Sequence, residues 1–238
     1  MSGEAATPAP APARRVDWGL TRGRDRALDD AIVGLVSPGE RVLDLGCGTG
    51  DLLLRLRMEK GISERGIERD GGAVAEAIAR GLAVVEGELG EWVGDLPAAS
   101  YDLVLLNQVL PLMEDPVAVI EGALRVGRRV AVSYPNFAHW RIRLTLGLGG
   151  RLPVNPALPY QWYNTPNIRL VTVRDFRRLC RDRGWRVVRE AFAAQRGPEG
   201  SVPVRALPNL RASLALAVLE KGDQGSPADR ASVSCQKS

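Results

Sequence analysis

The chain has 238 residues, 45% of them hydrophobic, and 32 basic against 28 acidic residues give a formal net charge of +4. That is enough apolar material for one sizeable core, while no run approaches the ~18 apolar residues of a membrane span. The three cysteines, Cys47, Cys180 and Cys235, have neither metal-site nor disulfide spacing, which excludes a disulfide scaffold and fits a reducing cytoplasm.

Residues 1–23 are Ala/Pro-rich without the apolar region of a secretory signal, so they are expected to form a disordered leader. A single domain is expected over 24–221, and the polar residues 222–238 form a tail. Asp25 to Val36 carries Leu28, Ala31, Ile32 and Leu35 at core spacing for a helix, which Ser37-Pro38-Gly39 ends. Val42 to Leu45 is a short apolar strand. Three glycines follow, Gly46, Gly48 and Gly50, and then a helical run from Leu52. The next strand-like run ends at Glu68. Asp70 caps a helix through Val74 and Ala77, closed by Gly81, and Leu82 to Val85 is the third strand. Tyr101 to Leu106 is a fourth strand, Pro116 opens another helix, and Arg129 to Ser133 is a fifth strand.

After Ser133 the alternation breaks into a Pro-, aromatic- and Arg-rich insert, 134–170. Thr172 with Asp175 three places on is a capping-box pattern that opens a helix closed by Gly184. Trp185 to Phe192 and Ser213 to Leu219 then form two final strands, an antiparallel pair joined by a long loop. The pattern predicts a doubly wound α/β sheet of seven strands, mostly parallel, with a C-terminal antiparallel strand.

The turn after the first strand carries the chemistry. The dinucleotide fingerprint G-x-G-x-x-G/A places its third small residue five positions after the first glycine. Here that position is Asp51, and the third glycine comes one step earlier. Asp44 lies inside the strand, where a carboxylate repels a pyrophosphate and suits a cationic or amine-bearing ligand. Glu68, about 20 positions beyond the loop, is placed to accept hydrogen bonds from ribose hydroxyls. This combination resembles the nucleoside pocket of the class I S-adenosylmethionine-dependent methyltransferases, with Asp44 toward the amino-acid end of the cofactor and Glu68 toward the ribose.

Charge is distributed unevenly. Glu40 to Glu121 holds 16 acidic residues against 7 basic, whereas Gly122 to Arg189 holds 14 arginines against Asp175 and Asp182. The basic half points to an anionic ligand or an acidic protein surface. No recognition motif or repeated aromatic pattern supports nucleic acid.

The insert narrows the resemblance. Ser133-Tyr134-Pro135-Asn136-Phe137-Ala138-His139-Trp140-Arg141 is followed by Gly150-Arg151-Leu152-Pro153 and by Leu158-Pro159-Tyr160-Gln161-Trp162-Tyr163-Asn164-Thr165-Pro166-Asn167-Ile168. These segments, with Leu124 to Arg128 before the fifth strand, resemble the methionine biosynthesis protein MetW family from about Asp25 to Lys221. Three positions depart from its pattern. Arg169 stands where a histidine is usual, Glu88 stands for Asp on the adenine side, and Pro111 replaces a polar residue.

The resemblance implies a methyltransferase-like fold that binds S-adenosylmethionine or S-adenosylhomocysteine through Asp44, Gly46, Cys47, Gly48, Gly50, Glu68, Glu88, Leu89 and Asn107. It also implies a partner, homoserine O-acyltransferase, which such an accessory protein would associate with and activate; the lack of an apolar span and of a recognition motif leaves neither membrane nor nucleic acid expected as a target. The alternative is a methyltransferase acting on a small molecule. Acceptor chemistry is weakly marked: amino-group enzymes often carry Asn/Asp-Pro-Pro-aromatic after the fourth strand, and this chain has Asn107-Gln108-Val109-Leu110-Pro111. No catalytic residue is assigned. His139, the only histidine, is either a general base or a hydrogen-bonded structural residue. Trp140, Tyr160, Trp162 and Tyr163 are read as interface anchors in preference to a substrate pocket, given the arginines around them.

Overall fold

The computed structural model describes residues 26–154, 158, 161–165, 167–195 and 200–222. The expected leader, nearly all of the expected tail, and Tyr160 lie outside the described residues.

Helix α1 (Arg26–Val33) buries Leu28 and Ile32 and leads to strand β1 (Arg41–Leu45). Helix α2 (Asp51–Lys60), β2 (Ser63–Glu68), α3 (Gly71–Ala79) and β3 (Val84–Glu86) complete the first half. Helix α4 (Leu89–Asp95), β4 (Tyr101–Asn107), a 3₁₀ turn (Leu110–Leu112), α5 (Pro116–Val126) and β5 (Gly127–Pro135) follow. The chain then runs through α6 (Trp140–Gly149), α7 (Val173–Arg183), β6 (Arg186–Gln195), β7 (Ser201–Pro203), α8 (Pro208–Arg211) and β8 (Leu214–Glu220).

One sheet has the order β3-β2-β1-β4-β5-β8-β6-β7. Strands β1 to β5 pair in parallel, and β8 runs antiparallel between β5 and β6. Alternate residues face opposite layers. Leu43, Leu45, Val104, Leu106 and Val132 join α5 and α7 in one core, whereas Val42, Leu103, Leu105 and Ala131 join α1 and α2 in the other. Strands buried on both faces explain the near-continuous apolar runs. Chain order reverses between β1 and β4, which opens a crevice at their C-terminal ends.

Two sequence expectations change. The sheet has eight strands, because β7 pairs with β6 inside the segment expected as a loop. The insert also holds a ten-residue helix, α6. Its apolar residues Ile142, Leu144, Leu146 and Leu148 alternate at period two, a strand-like signal. Local caps decide otherwise: the His139 side chain accepts from Arg141 N, and Gly150 in the left-handed region closes the helix. Helix α4 has two glycines and one buried residue, Val93. The Arg125 guanidinium of α5 supports it by donating to the carbonyls of Val93, Gly94 and Leu96 at 2.5, 2.9 and 2.7 Å, which satisfies helix-terminal acceptors.

Beneath α7 lies Tyr134, fully buried, its ring centroid 4.7 Å from that of Phe176. Its hydroxyl accepts or donates no hydrogen bond among the described residues, and burial, then Glu190, pushes its ionisation far above that of a free phenol. Burial likewise pushes the neighbouring Cys180 thiol up to about 12, so it stays protonated. An unpaired buried hydroxyl costs free energy. Tyr134→Phe is therefore expected to stabilise the fold by about 1 kcal/mol, read as a Tm rise of roughly 2–4 °C. A fall in Tm would show that the hydroxyl has a partner.

Candidate cofactor site at the crevice between β1 and β4

The glycine turn is fixed by backbone hydrogen bonds to the end of β2. Gly46 N and Cys47 N donate to Ile67 O at 2.7 and 3.3 Å, and Gly50 N donates to Cys47 O at 3.0 Å. The three glycines have φ of +82°, +55° and +75°, values that an L side chain rarely adopts. Their surroundings differ. A Cβ at Gly46 would lie 2.4 Å from Val109 Cγ1, and one at Gly50 would lie 2.3 Å from Leu82 Cδ1. At Gly48 nothing among the described residues lies within 4 Å of that position. Gly46 and Gly50 are thus demanded by packing, while Gly48 presents bare backbone to open space, which is what close ligand approach requires.

Glu68 ends β2 at 9% exposure. Its Oε2 accepts from Gly48 N at 2.9 Å, and its Oε1 accepts from Arg69 N and Asp70 N at 2.9 and 3.0 Å. A carboxylate offers about four lone-pair sites. Three are taken among the described residues, which leaves Oε2 able to accept a further donor. Asp44, at 3% exposure, lies in β1 between Gly66 of β2 and Leu105 of β4 in register.

Other predicted positions are gathered less directly. Leu89, half-buried at the start of α4, packs against the turn: its Cδ1 is 3.7 Å from where a Gly46 Cβ would stand. Glu88 is exposed at the N-cap of α4, and its side chain makes no capping bond. The adjoining Gly87 N donates to Glu68 O at 3.0 Å, which ties the end of β3 to the end of β2. Asn107 ends β4, and its Oδ1 accepts from Ser133 Oγ at 2.5 Å. The buried Cys47 sulfur packs beneath the turn, 2.5 Å from where a Cβ on Gly66 would stand, and donates to Gly48 O at 3.7 Å.

The structure adds residues that no local pattern announced. Arg80, at the end of α3, donates to Thr49 O at 2.8 Å and pairs with Asp51, so it clamps the turn from a distance of some thirty residues in sequence. The Trp92 indole covers Gly87, its Nε1 1.9 Å from that residue's would-be Cβ. Gln108 is held at φ +60° by N–H donation to Ser133 O and Oγ at 3.1 and 2.9 Å. A non-glycine residue in that region beside a crevice carries backbone strain where function is often found.

His139 is a helix cap whose Nδ1 accepts from Arg141 N at 3.4 Å. Burial first, then the Arg141 charge, holds it below the usual histidine range. Trp140, Trp162 and Tyr163 are exposed, with Trp162 edge-on to Tyr163 at 5.7 Å.

With this geometry in place, similarity to known proteins becomes informative. The family of methionine biosynthesis protein MetW matches residues 26–219. The chain belongs to the MetW family. A bifunctional methionine biosynthesis protein MetXA/MetW of Rhodopirellula baltica is 32% identical over 160 residues, covering 63% of this chain and 26% of that protein. The chain thus spans about a quarter of that relative's length. Among solved structures, a SAM-dependent methyltransferase of Thermotoga maritima superposes with a TM-score of 0.59 at 17% identity, over 81% of this chain and 87% of its own. Magnesium protoporphyrin IX methyltransferase of Synechocystis PCC 6803 with bound SAH gives 0.59 at 19% identity, over 90% of each. At such identities the likeness shows the fold alone, which is methyltransferase-like. No helix among the described residues is long and apolar enough to cross a membrane.

Proposed function

We propose that this MetW family member binds S-adenosylmethionine or S-adenosylhomocysteine at the β1–β4 crevice and serves as an accessory protein that associates with and activates a homoserine O-acyltransferase. The cofactor part is supported by Gly48, whose bare backbone faces open space while its N–H is held by the Glu68 carboxylate. In this reading the last acceptor site of Glu68 takes a ribose hydroxyl. Asp44 supplies negative charge toward the cofactor's cationic amino-acid end, Leu89 and Glu88 flank the adenine, and Asn107 lines the β4 side. When bound, S-adenosylmethionine supplies a sulfonium methyl group. A methyltransferase must hold an acceptor in line with that methyl, and Asn107 to Pro111 carries no amine-acceptor signature. The accessory reading is therefore preferred to methyl transfer onto a small molecule.

The partner part rests on the Rhodopirellula baltica relative, in which MetXA and MetW are named together for one bifunctional chain. Two proteins of one task joined in one polypeptide gain a high effective concentration for each other, which matters most when they must touch.

Calorimetry on cofactor-stripped protein tests the first part. Saturable heat is expected with either sulfur nucleoside and none with NAD, because Asp51, paired with Arg80 at the first turn of α2, puts a carboxylate where a pyrophosphate would sit. Silence with both nucleosides, or saturable NAD binding at micromolar concentration, would sink it. Co-purification with the acyltransferase, and acyl-transfer assays with and without this chain, test the second part. Steady methyl transfer to a small acceptor with no association would favour the enzyme reading.

A further inference from the structure

Helix α6 stands apart from the body of the protein. Its only buried residue is Ile142. Side chains advance 100° per residue around a helix, so Leu144 points about 200° away from Ile142, and Trp140 and Leu148 share its side at i−4 and i+4. Trp140, Leu144 and Leu148 are 42%, 49% and 84% exposed. A row of large apolar side chains facing away from the core, on a helix with proper caps at both ends, is left largely uncovered by the described residues. Exposed apolar patches of this kind mark interaction sites.

The insert that carries the stripe has one sign of charge. Arg141 lies over the Trp140 ring at 5.3 Å, Arg143 and Arg151 follow, and no Asp or Glu occurs between Gly122 and Arg174. Two copies of this chain meeting stripe to stripe across a two-fold axis would bring these arginines together and repel. The far end of the insert is tied to the body of the fold near the crevice. Ile168 N and Arg169 N donate to Pro111 O at 2.9 and 3.1 Å, and Arg169 reaches Glu114 O at 2.6 Å, which straps the insert to the turn following β4.

We infer that α6 is the docking element for the acyltransferase, its Trp140–Leu144–Leu148 stripe entering an apolar groove edged by carboxylates. The inference rests on the proposed partner, and adds the face and the mode, a helix laid in a groove. Leu144 and Leu148 are the positions to test, because both are outside the core and a charge there leaves the fold intact.

The experiment measures binding of purified acyltransferase to the full chain, to Leu148→Glu and to the milder Leu144→Ala/Leu148→Ala pair. Thermal unfolding and S-adenosylhomocysteine binding serve as controls. Wild-type binding, with a loss of about tenfold or more in both variants and unchanged controls, is the expected result. Equal binding by all three overturns the surface assignment and leaves the partner reading standing. Wild-type protein that never binds the acyltransferase overturns the partner reading itself. A wild-type dimer in light scattering that Leu148→Glu makes monomeric assigns the stripe to a second copy and overturns the inference. Stripe-dependent sedimentation with anionic vesicles, without acyltransferase binding, overturns it in favour of a membrane surface.

Discussion

Asn136→Ala is expected to destabilise the protein by roughly 3–5 kcal/mol, since several buried groups lose their partner at once. Asn136 is 1% exposed. Its Nδ2 donates to Pro208 O, Asn209 O and Ala212 O at 3.4, 3.2 and 2.8 Å, while its Oδ1 accepts from Ala138 N and Val173 N at 3.1 and 3.3 Å. The side chain thus joins the exit of β5, the first turn of α7 and the end of α8. Three carbonyls on one side and two N–H groups on the other fix which way the amide points. Asn136→Asp should be at least as damaging, because it sets a carboxylate against the three carbonyls. Thermal unfolding of both variants checks this, with a Tm fall on the order of 10 °C. A change within about 2 °C of wild type would show that the network is dispensable. The asparagine of the Ser133-Tyr134-Pro135-Asn136 motif is therefore structural in this fold.

The same contrast, between what neighbours in sequence determine and what distant contacts determine, separates the elements that the sequence makes legible from the others. Asp70 and Thr172 cap α3 and α7 through bonds to residues three positions away, and Pro116 marks the start of α5, so a reading of short windows finds these helices. Strand β1 and the turn are equally local. Helix α6 is obscured because its leucines alternate at period two, and α4 because it depends on Arg125, about thirty residues on. Strand β7 has three residues and exists through its pairing with β6. In the crevice, Asp44, the glycines and Glu68 fall within one βαβ unit and carry a recognisable spacing. Arg80, Val109 and Trp92 reach it through the tertiary fold, and none has a motif. Cys47 shows the reverse case: it sits in the motif, yet its side chain belongs to the core.

Glu68→Ala should weaken binding of S-adenosylhomocysteine by roughly 1.5–3 kcal/mol, the range for a lost charge-assisted hydrogen bond, which is about ten- to a hundredfold or more in Kd. Two losses contribute. The ribose loses its acceptor, and Gly48 N loses the bond that holds the turn at 2.9 Å. Arg69 N and Asp70 N lose theirs as well, so the turn into α3 loosens. Glu68→Gln separates the contributions. It keeps one carbonyl oxygen for the backbone donors but presents an amide where the carboxylate met Gly48, so it should lie between wild type and alanine. Calorimetric titrations of the three proteins, each with its Tm in the absence of ligand, measure both effects. Wild-type Kd in the alanine variant would remove Glu68 from the site. A collapse in Tm that accounts for the whole loss of binding would reduce it to a brace for the turn. The result expected of a residue that both orders the loop and touches the ligand is a modest fall in Tm with a Kd change larger than that fall explains.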